Sequence, residues 1–307
     1  MHKSVLLEES IESLHLQPTS KVVDMTLGFA GHSSQILKRI NKGYLFAFDQ
    51  DEEAIAISYQ KLKQIGDNFE IIDSNFANVK EELAKRNIDK VDAILYDLGV
   101  SSPQLDEDYR GFSYRFDAPL DMRMDKDNPL TAKIIVNTYQ EQDLRRIFTN
   151  YGESKFASSI ARNIIKHRNQ QPIETTLELV EIIKEATPMK ERIKKHPAKQ
   201  IFQALRIEVN HELEVLEASI QQALELIDIN GYIAVITFHS LEDRFIKKTF
   251  QKVTEIDAIS KGMPNIPLDK QPDFKLITKK GIKPSKEELA NNHRAHSATL
   301  RVIQRIK

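Results

Sequence analysis

Three aspartates each close an apolar run. Asp24 follows Lys21-Val22-Val23, Asp49 follows Phe46-Ala47-Phe48, and Asp97 follows Leu95-Tyr96. Just after the first lies Gly28-Phe29-Ala30-Gly31-His32-Ser33, a turn of small residues leading into a helix that should begin near His32 or Ser33. Small residues let a ligand approach the backbone. A full dinucleotide fingerprint would need three spaced glycines, and Ala30 occupies one small-residue position, so the turn alone is weak evidence for a nucleotide, its other reading being a tight strand-to-helix connection. Asp49 stands some twenty residues past Gly28, where an acid can accept hydrogen bonds from both hydroxyls of a bound ribose. Each such bond to a charged acceptor contributes about 1.5–3 kcal/mol. Its alternative use is to cap the helix opening at Glu52, but Asp51 is better placed for that, leaving Asp49 free.

Nicotinamide and methyl-sulfonium cofactors both use a ribose-binding acid, so Asp24 discriminates between them. A pyrophosphate prefers unobstructed backbone amides at a helix start. A carboxylate four residues before Gly28 suits a cationic methionine moiety instead, which favours the methyl donor. Asp97 opens Leu98-Gly99-Val100-Ser101-Ser102-Pro103-Gln104, a polar turn at the same sheet edge. An exocyclic amine on a base ring is a poor nucleophile because its lone pair is delocalised, and an acceptor such as Asp97 can localise it for attack. Asp97 can equally hold a methionine amino group or cap its own turn. The nine histidines form no metal-ligand spacing, and His293 with His296 reads as a polar turn, so no metal is expected. His239-Ser240 lacks the G-x-S-x-G elbow of a hydrolase.

The elements that position these acids are strand-like runs near Lys21–Asp24, Tyr44–Asp49, Phe69–Ser74 and Val91–Leu98. Helical spacing separates them at Ser33–Ile40 and Glu52–Ile65. Strands apolar on both faces and joined by helices predict a parallel sheet covered on both sides, with ligands at the carboxyl ends. Between Asp106 and His211 helical periodicity takes over, as in Ser154–His167 and Thr176–Glu185. A long periodic segment then opens at Pro197 and runs to Ile227. Tyr232–Phe238 resumes the sheet, a helix follows from Leu241, and Phe274–Lys279 and Ala298–Ile306 are expected to pair antiparallel. The expected fold is α/β, a seven-stranded Rossmann-like sheet interrupted by an all-helical domain. Its boundaries are 1–108 and 211–307 for the core and 109–210 for the insertion. The segments Gly262–Gln271 and Gly281–Lys286 are candidates for mobile lids.

Composition agrees with an ordinary globular protein, with 29% charged and 40% hydrophobic residues. The absence of cysteine excludes disulfides and thiolate chemistry. The opening residues carry no secretory apolar region and no run approaches a membrane span, so a cytoplasmic protein without membrane contact is expected. A net charge of -1 supplies no global basic field, so a nucleic-acid partner would be held by local patches. The densest basic run is Lys190–Lys199, which reads as a phosphate contact or as a solvated charged loop. Tyr109, Phe112, Tyr114, Arg115 and Phe116 are better candidates for stacking an extruded base, the other reading being an aromatic lid over a helical core.

The chain resembles the bacterial small-subunit ribosomal RNA N(4)-cytidine methyltransferases, the family also called MraW or RsmH. Seven ordered motifs carry the resemblance: His2–Glu9, Asp24–Ser33, Asp97–Asp106, Arg110–Asp125, Tyr151–Arg162, Phe238–Arg244 and Arg294–Val302. It implies a class I methyltransferase fold and methyl transfer from S-adenosylmethionine to a decoding-centre (P-site) cytidine of 16S rRNA in the small ribosomal subunit. It places Ala30, Gly31 and His32 in the cofactor turn, Asp49 on the ribose, Phe76 beside the adenine, and Asp97 with Gln104 completing the site. Bottom-up, Phe76 would pass for a core residue. Ala30 stands where the family usually has glycine, and its Cβ disfavours a positive φ by roughly 1–2 kcal/mol. Two other function classes remain, a methyltransferase for protein or small molecules and a non-catalytic RNA-binding assembly factor. A homodimer is left open.

Overall fold

The computed structural model describes residues 4–99, 109–194, 196–256, 267 and 270–307. The chain divides into two compact units, 1–99 with 215–307, and 100–214.

The first unit is built on one sheet of seven strands: β1 (Lys21–Asp24), β2 (Tyr44–Asp49), β3 (Phe69–Asp73), β4 (Val91–Asp97), β5 (Ile227–Thr237), β6 (Phe274–Leu276) and β7 (Thr299–Arg305). Their order is β3-β2-β1-β4-β5-β7-β6. The first five run parallel and β7 lies antiparallel between β5 and β6. The alternation of each strand explains why both faces are covered. Val22, Leu45, Ala47, Ala93, Leu95, Ala234, Ile236, Leu300 and Val302 join one apolar core. Their neighbours Val23, Phe46, Phe48, Ile94, Tyr96, Ile233, Val235 and Ile303 join another. A period of two sends alternate side chains to opposite faces, and a sheet buried on both sides needs apolar residues at nearly every position.

The connecting helices are α1 (Leu7–Ser13), α2 (Gly31–Arg39), α3 (Glu52–Lys63) and α4 (Val79–Ala84). The strands fall within a residue or two of the expected runs, except that β5 begins five residues early at Ile227 and β6 ends three residues early at Leu276. Asp51 caps α3, its carboxylate accepting the Glu53 and Ala54 N–H groups, as the spacing requires.

The second unit holds α5 (Ala132–Thr138), α6 (Glu141–Asn150), α7 (Ala157–Arg168), α8 (Thr176–Glu185), α9 (Met189–Lys194) and α10 (Ala198–Asn210). Phe148, Ile160, Ile164, Ile183, Phe202 and Leu205 lie in its core. Ahead of these helices the Arg110–Asp125 motif is held by partly buried polar bonds. Arg110 donates to the carbonyls of Arg123 (3.0 Å) and Met124 (3.2 Å), and Asn210 Nδ2 donates to Met122 (2.8 Å) while its Oδ1 accepts from the Met124 N–H (2.8 Å).

The long periodic segment expected to run from Pro197 to Ile227 is two helices. His211, at φ 50, ends α10 in the left-handed region and α11 (Glu212–Leu226) begins beside it. A 3.6-residue pattern continues across such a break because each helix keeps its own apolar face, so periodicity alone does not reveal it. After β5 come α12 (Ser240–Thr254) and α13 (Lys286–Asn291). The segment Gly281–Lys286, expected as a lid, is instead fastened. Ile282 bridges to Leu300, Lys283 Nζ bonds to Thr299, and the Ser285 hydroxyl caps α13. Most of the other expected lid lies outside the described residues. Among the described residues no helix is long and apolar enough to cross a membrane.

Candidate active site at the carboxyl edge of the sheet

Register places the three acids. Asp24 pairs with Ala47 on one side and Leu95 on the other, so Asp49 and Asp97 each lie two residues further along their strands at the same edge. The turn after β1 is held from behind. Ser58 Oγ on α3 donates to the Gly28 carbonyl (2.7 Å) and Lys61 Nζ to the Phe29 carbonyl (2.9 Å). Gly28 adopts φ +47 with open space where a Cβ would stand, the access that the small residues imply. Ala30, wholly buried, adopts φ 54 at the start of α2, so the left-handed strain foreseen for a Cβ at this position is present.

Asp49 is not free as expected. Its Oδ2 accepts the Gly28 N–H (2.8 Å), and its Oδ1 accepts those of Gln50 (2.8 Å) and Asp51 (2.9 Å). Burial pushes its carboxyl up to about 6 against the pull of these three donors. The side chain remains partly accessible, so a carboxylate held rigid by backbone is presented to a ligand.

Asp24 departs from the expectation more sharply. It is buried, with Oδ1 accepting the Thr26 N–H (3.1 Å) and Oδ2 the Ser33 hydroxyl (2.6 Å). Burial raises its pKa, and the Ser33 bond and the His32 charge only partly oppose this. Asp24 therefore organises the turn and offers no oxygen to a cation. Thr26 joins the strands, accepting the Asp97 N–H on Oγ1 (2.7 Å). Asp97 Oδ2 lies 3.3 Å from His32 Nδ1, and its Oδ1 is buried without a partner. Burial opposes a charge on His32, but Asp97 and Asp24 overcome it and raise the imidazole's pKa.

Phe76 is half-buried and packs edge-on against Tyr96 at 5.9 Å and 89°, held on the turn after β3 whose Asn75 Nδ2 donates to Gln50 Oε1 (3.1 Å). It is thus an aromatic on the same edge as Asp49, half core and half accessible. Gln104 lies outside the described residues. Ser58, Lys61 and Thr26 were missed by sequence reasoning. The spacing of Ser58 and Lys61 on one face of α3 was the only signal for the first two.

The aromatic candidates of the second unit separate. Phe112 is buried, and Tyr114 stacks on His196 (4.7 Å, 18°) and meets Phe202 edge-on, while Tyr109 and Phe116 are exposed at 52% and 47%. In the basic run Arg192 donates to the Thr187 carbonyl, Lys190, Lys194 (paired with Glu191) and Lys199 are exposed, and Lys195 lies outside the described residues.

Acids closing adjacent parallel strands beside a glycine turn, in a sheet whose β7 runs antiparallel between β5 and β6, define a Rossmann-like class I methyltransferase fold. The chain belongs to the MraW methylase family, whose model matches residues 1–306. A protein of Streptococcus dysgalactiae subsp. equisimilis named ribosomal RNA small subunit methyltransferase H is 53% identical, over 100% of this chain and 98% of its own. Proteins of the same name from Streptococcus mutans serotype c and Limosilactobacillus fermentum are 54% and 51% identical with the same coverage. Among solved structures, an rRNA methylase from Streptococcus thermophilus aligns over 100% of this chain and 99% of its own, at 12% identity and a TM-score of 0.45.

Proposed function

We propose that this protein transfers a methyl group from S-adenosylmethionine to the N(4) amine of a P-site cytidine of 16S rRNA in the small ribosomal subunit. The observation that carries the reading is the family match along the whole chain, with relatives at about half identity named for small-subunit ribosomal RNA methylation. The acceptor position and the cytidine rest on the motif resemblance described above.

The residues fit such a cofactor. Asp49 offers a fixed carboxylate to ribose hydroxyls, Gly28 borders open space, Phe76 offers a ring face for adenine, and Asp97 Oδ1 is a buried acceptor awaiting a donor. S-adenosylmethionine supplies an electrophilic methyl on a sulfonium. The chain binds, orients and excludes water, which is what a direct in-line displacement requires. Ala30, Gly31 and His32 form the turn at the cofactor, with Gln104 as a further contact. The helical insertion 109–210 takes the RNA, where Tyr109 and Phe116 are exposed for stacking on unpaired bases.

The test is transfer of labelled methyl to purified small subunits lacking this modification, followed by nucleoside mass spectrometry, with Asp49→Ala as control. Label in N(4)-methylcytidine, lost in the control, is expected. Cofactor binding without transfer would assign another methyl acceptor, and subunit binding without cofactor binding would leave an assembly factor.

A further inference from the structure

We propose that the His32 side chain is a positioning residue, fixing Asp97 so that its free oxygen receives the amino group of the cofactor's methionine part. This role rests on the methyltransferase reading of the sheet edge and deepens it.

The oxygens of the three acids can be accounted for one by one. Each Asp24 oxygen has a protein donor, Thr26 or Ser33, and each Asp49 oxygen has at least one among Gly28, Gln50 and Asp51, with capacity left for a ligand at the partly accessible Asp49. Asp97 alone keeps a buried oxygen, Oδ1, with no donor. A buried acceptor left unpaired is costly, and a native protein keeps one where a ligand supplies the partner. An ammonium entering this edge therefore finds Asp97, because Asp24 is enclosed and each of its oxygens already has a protein donor.

A carboxylate is planar, so holding Oδ2 determines where Oδ1 points. His32 does the holding from 3.3 Å through an Nδ1–H, while Thr26 holds the Asp97 backbone N–H. The imidazole is only 5% exposed, with Nδ1 facing Asp97 and Nε2 buried without a partner, so with its ring enclosed it acts on a ligand through that carboxylate. Gly31 begins α2, so His32 sits in the first turn of a helix whose own start follows from the turn that cradles the ligand. One local structure thus sets both the backbone approach and the Asp97 geometry.

Titration of S-adenosylhomocysteine, which carries the same amino group, into the wild type and His32→Asn, His32→Gln and His32→Leu tests this, with thermal midpoints measured for each. Asparagine places its amide nitrogen where Nδ1 stands, glutamine carries it one carbon further, and leucine has none. Loss of a hydrogen bond to a charged group predicts a roughly ten- to hundredfold weaker affinity for His32→Leu and His32→Gln. His32→Asn should recover most of it, and in methyl transfer the loss should fall on the cofactor's KM more than on kcat. Wild-type affinity in His32→Leu would overturn the proposal. So would equal weakness of His32→Asn and His32→Leu at matched midpoints, which would mean that packing alone is at stake. S-adenosylhomocysteine binding involves no RNA, so a wild type that ignores small subunits would defeat the RNA reading while this comparison still decides the role of His32.

Discussion

Asp49 combines a rigid backbone cradle with a carboxyl raised to about 6 by burial. Ribose hydroxyls donate to the ionised form, so cofactor affinity should fall as pH drops through about 6, and calorimetric titrations at pH 5 and 7.5 check this. The folded protein without ligand has the opposite dependence. A carboxyl raised above its unfolded value contributes stability below about pH 4 that is lost as pH rises to about 6, so ligand and proton compete for the same group. Asp49→Asn should flatten the affinity profile and weaken binding about tenfold or more. Ser33 belongs to the stability side of the same edge. Removing its hydroxyl leaves Asp24 Oδ2 buried without that donor, so Ser33→Ala should cost about 1–3 kcal/mol, read as a lower denaturant midpoint.

Among the elements, the parallel strands were legible because each is apolar on both faces and is closed by an acid or a turn, a pattern no helix shares. The join between α10 and α11 was not, since a single left-handed residue between two amphipathic helices leaves the apolar period intact. His211 is exposed and carries a Cβ at φ 50, a conformation glycine adopts without strain. His211→Gly should stabilise the helical unit by up to about 1 kcal/mol, visible as slower amide exchange in α10. In the site, Asp49 and Asp97 were legible from their places at strand ends. The internal use of Asp24 was not, because only register and the Ser33 hydroxyl reveal that both its oxygens are occupied. The clamp of Ser58 and Lys61 on the glycine turn joins residues some thirty positions apart, and their shared helix face does not say what they reach.

Across the whole molecule, the acids of the proposed cofactor site and the aromatics proposed to stack on RNA fall on different units. The acids lie in the sheet unit, and the exposed aromatics Tyr109 and Phe116 in the helical one. Substituting both aromatics by alanine should raise KM for small subunits about tenfold while S-adenosylhomocysteine affinity stays within about twofold, which separates RNA stacking from cofactor binding. Equal loss of both affinities would count against that division.

The place of β7 also bears on synthesis. Residues 299–305 fill the gap between β5 and β6, and β4 pairs with β5 across more than a hundred intervening residues. A nascent chain can therefore complete its helical unit from local contacts while the sheet still lacks an inner strand. Until residues 299–305 take their place, that edge of β5 is unpaired, and an unpaired strand edge is where a partly made chain associates with others.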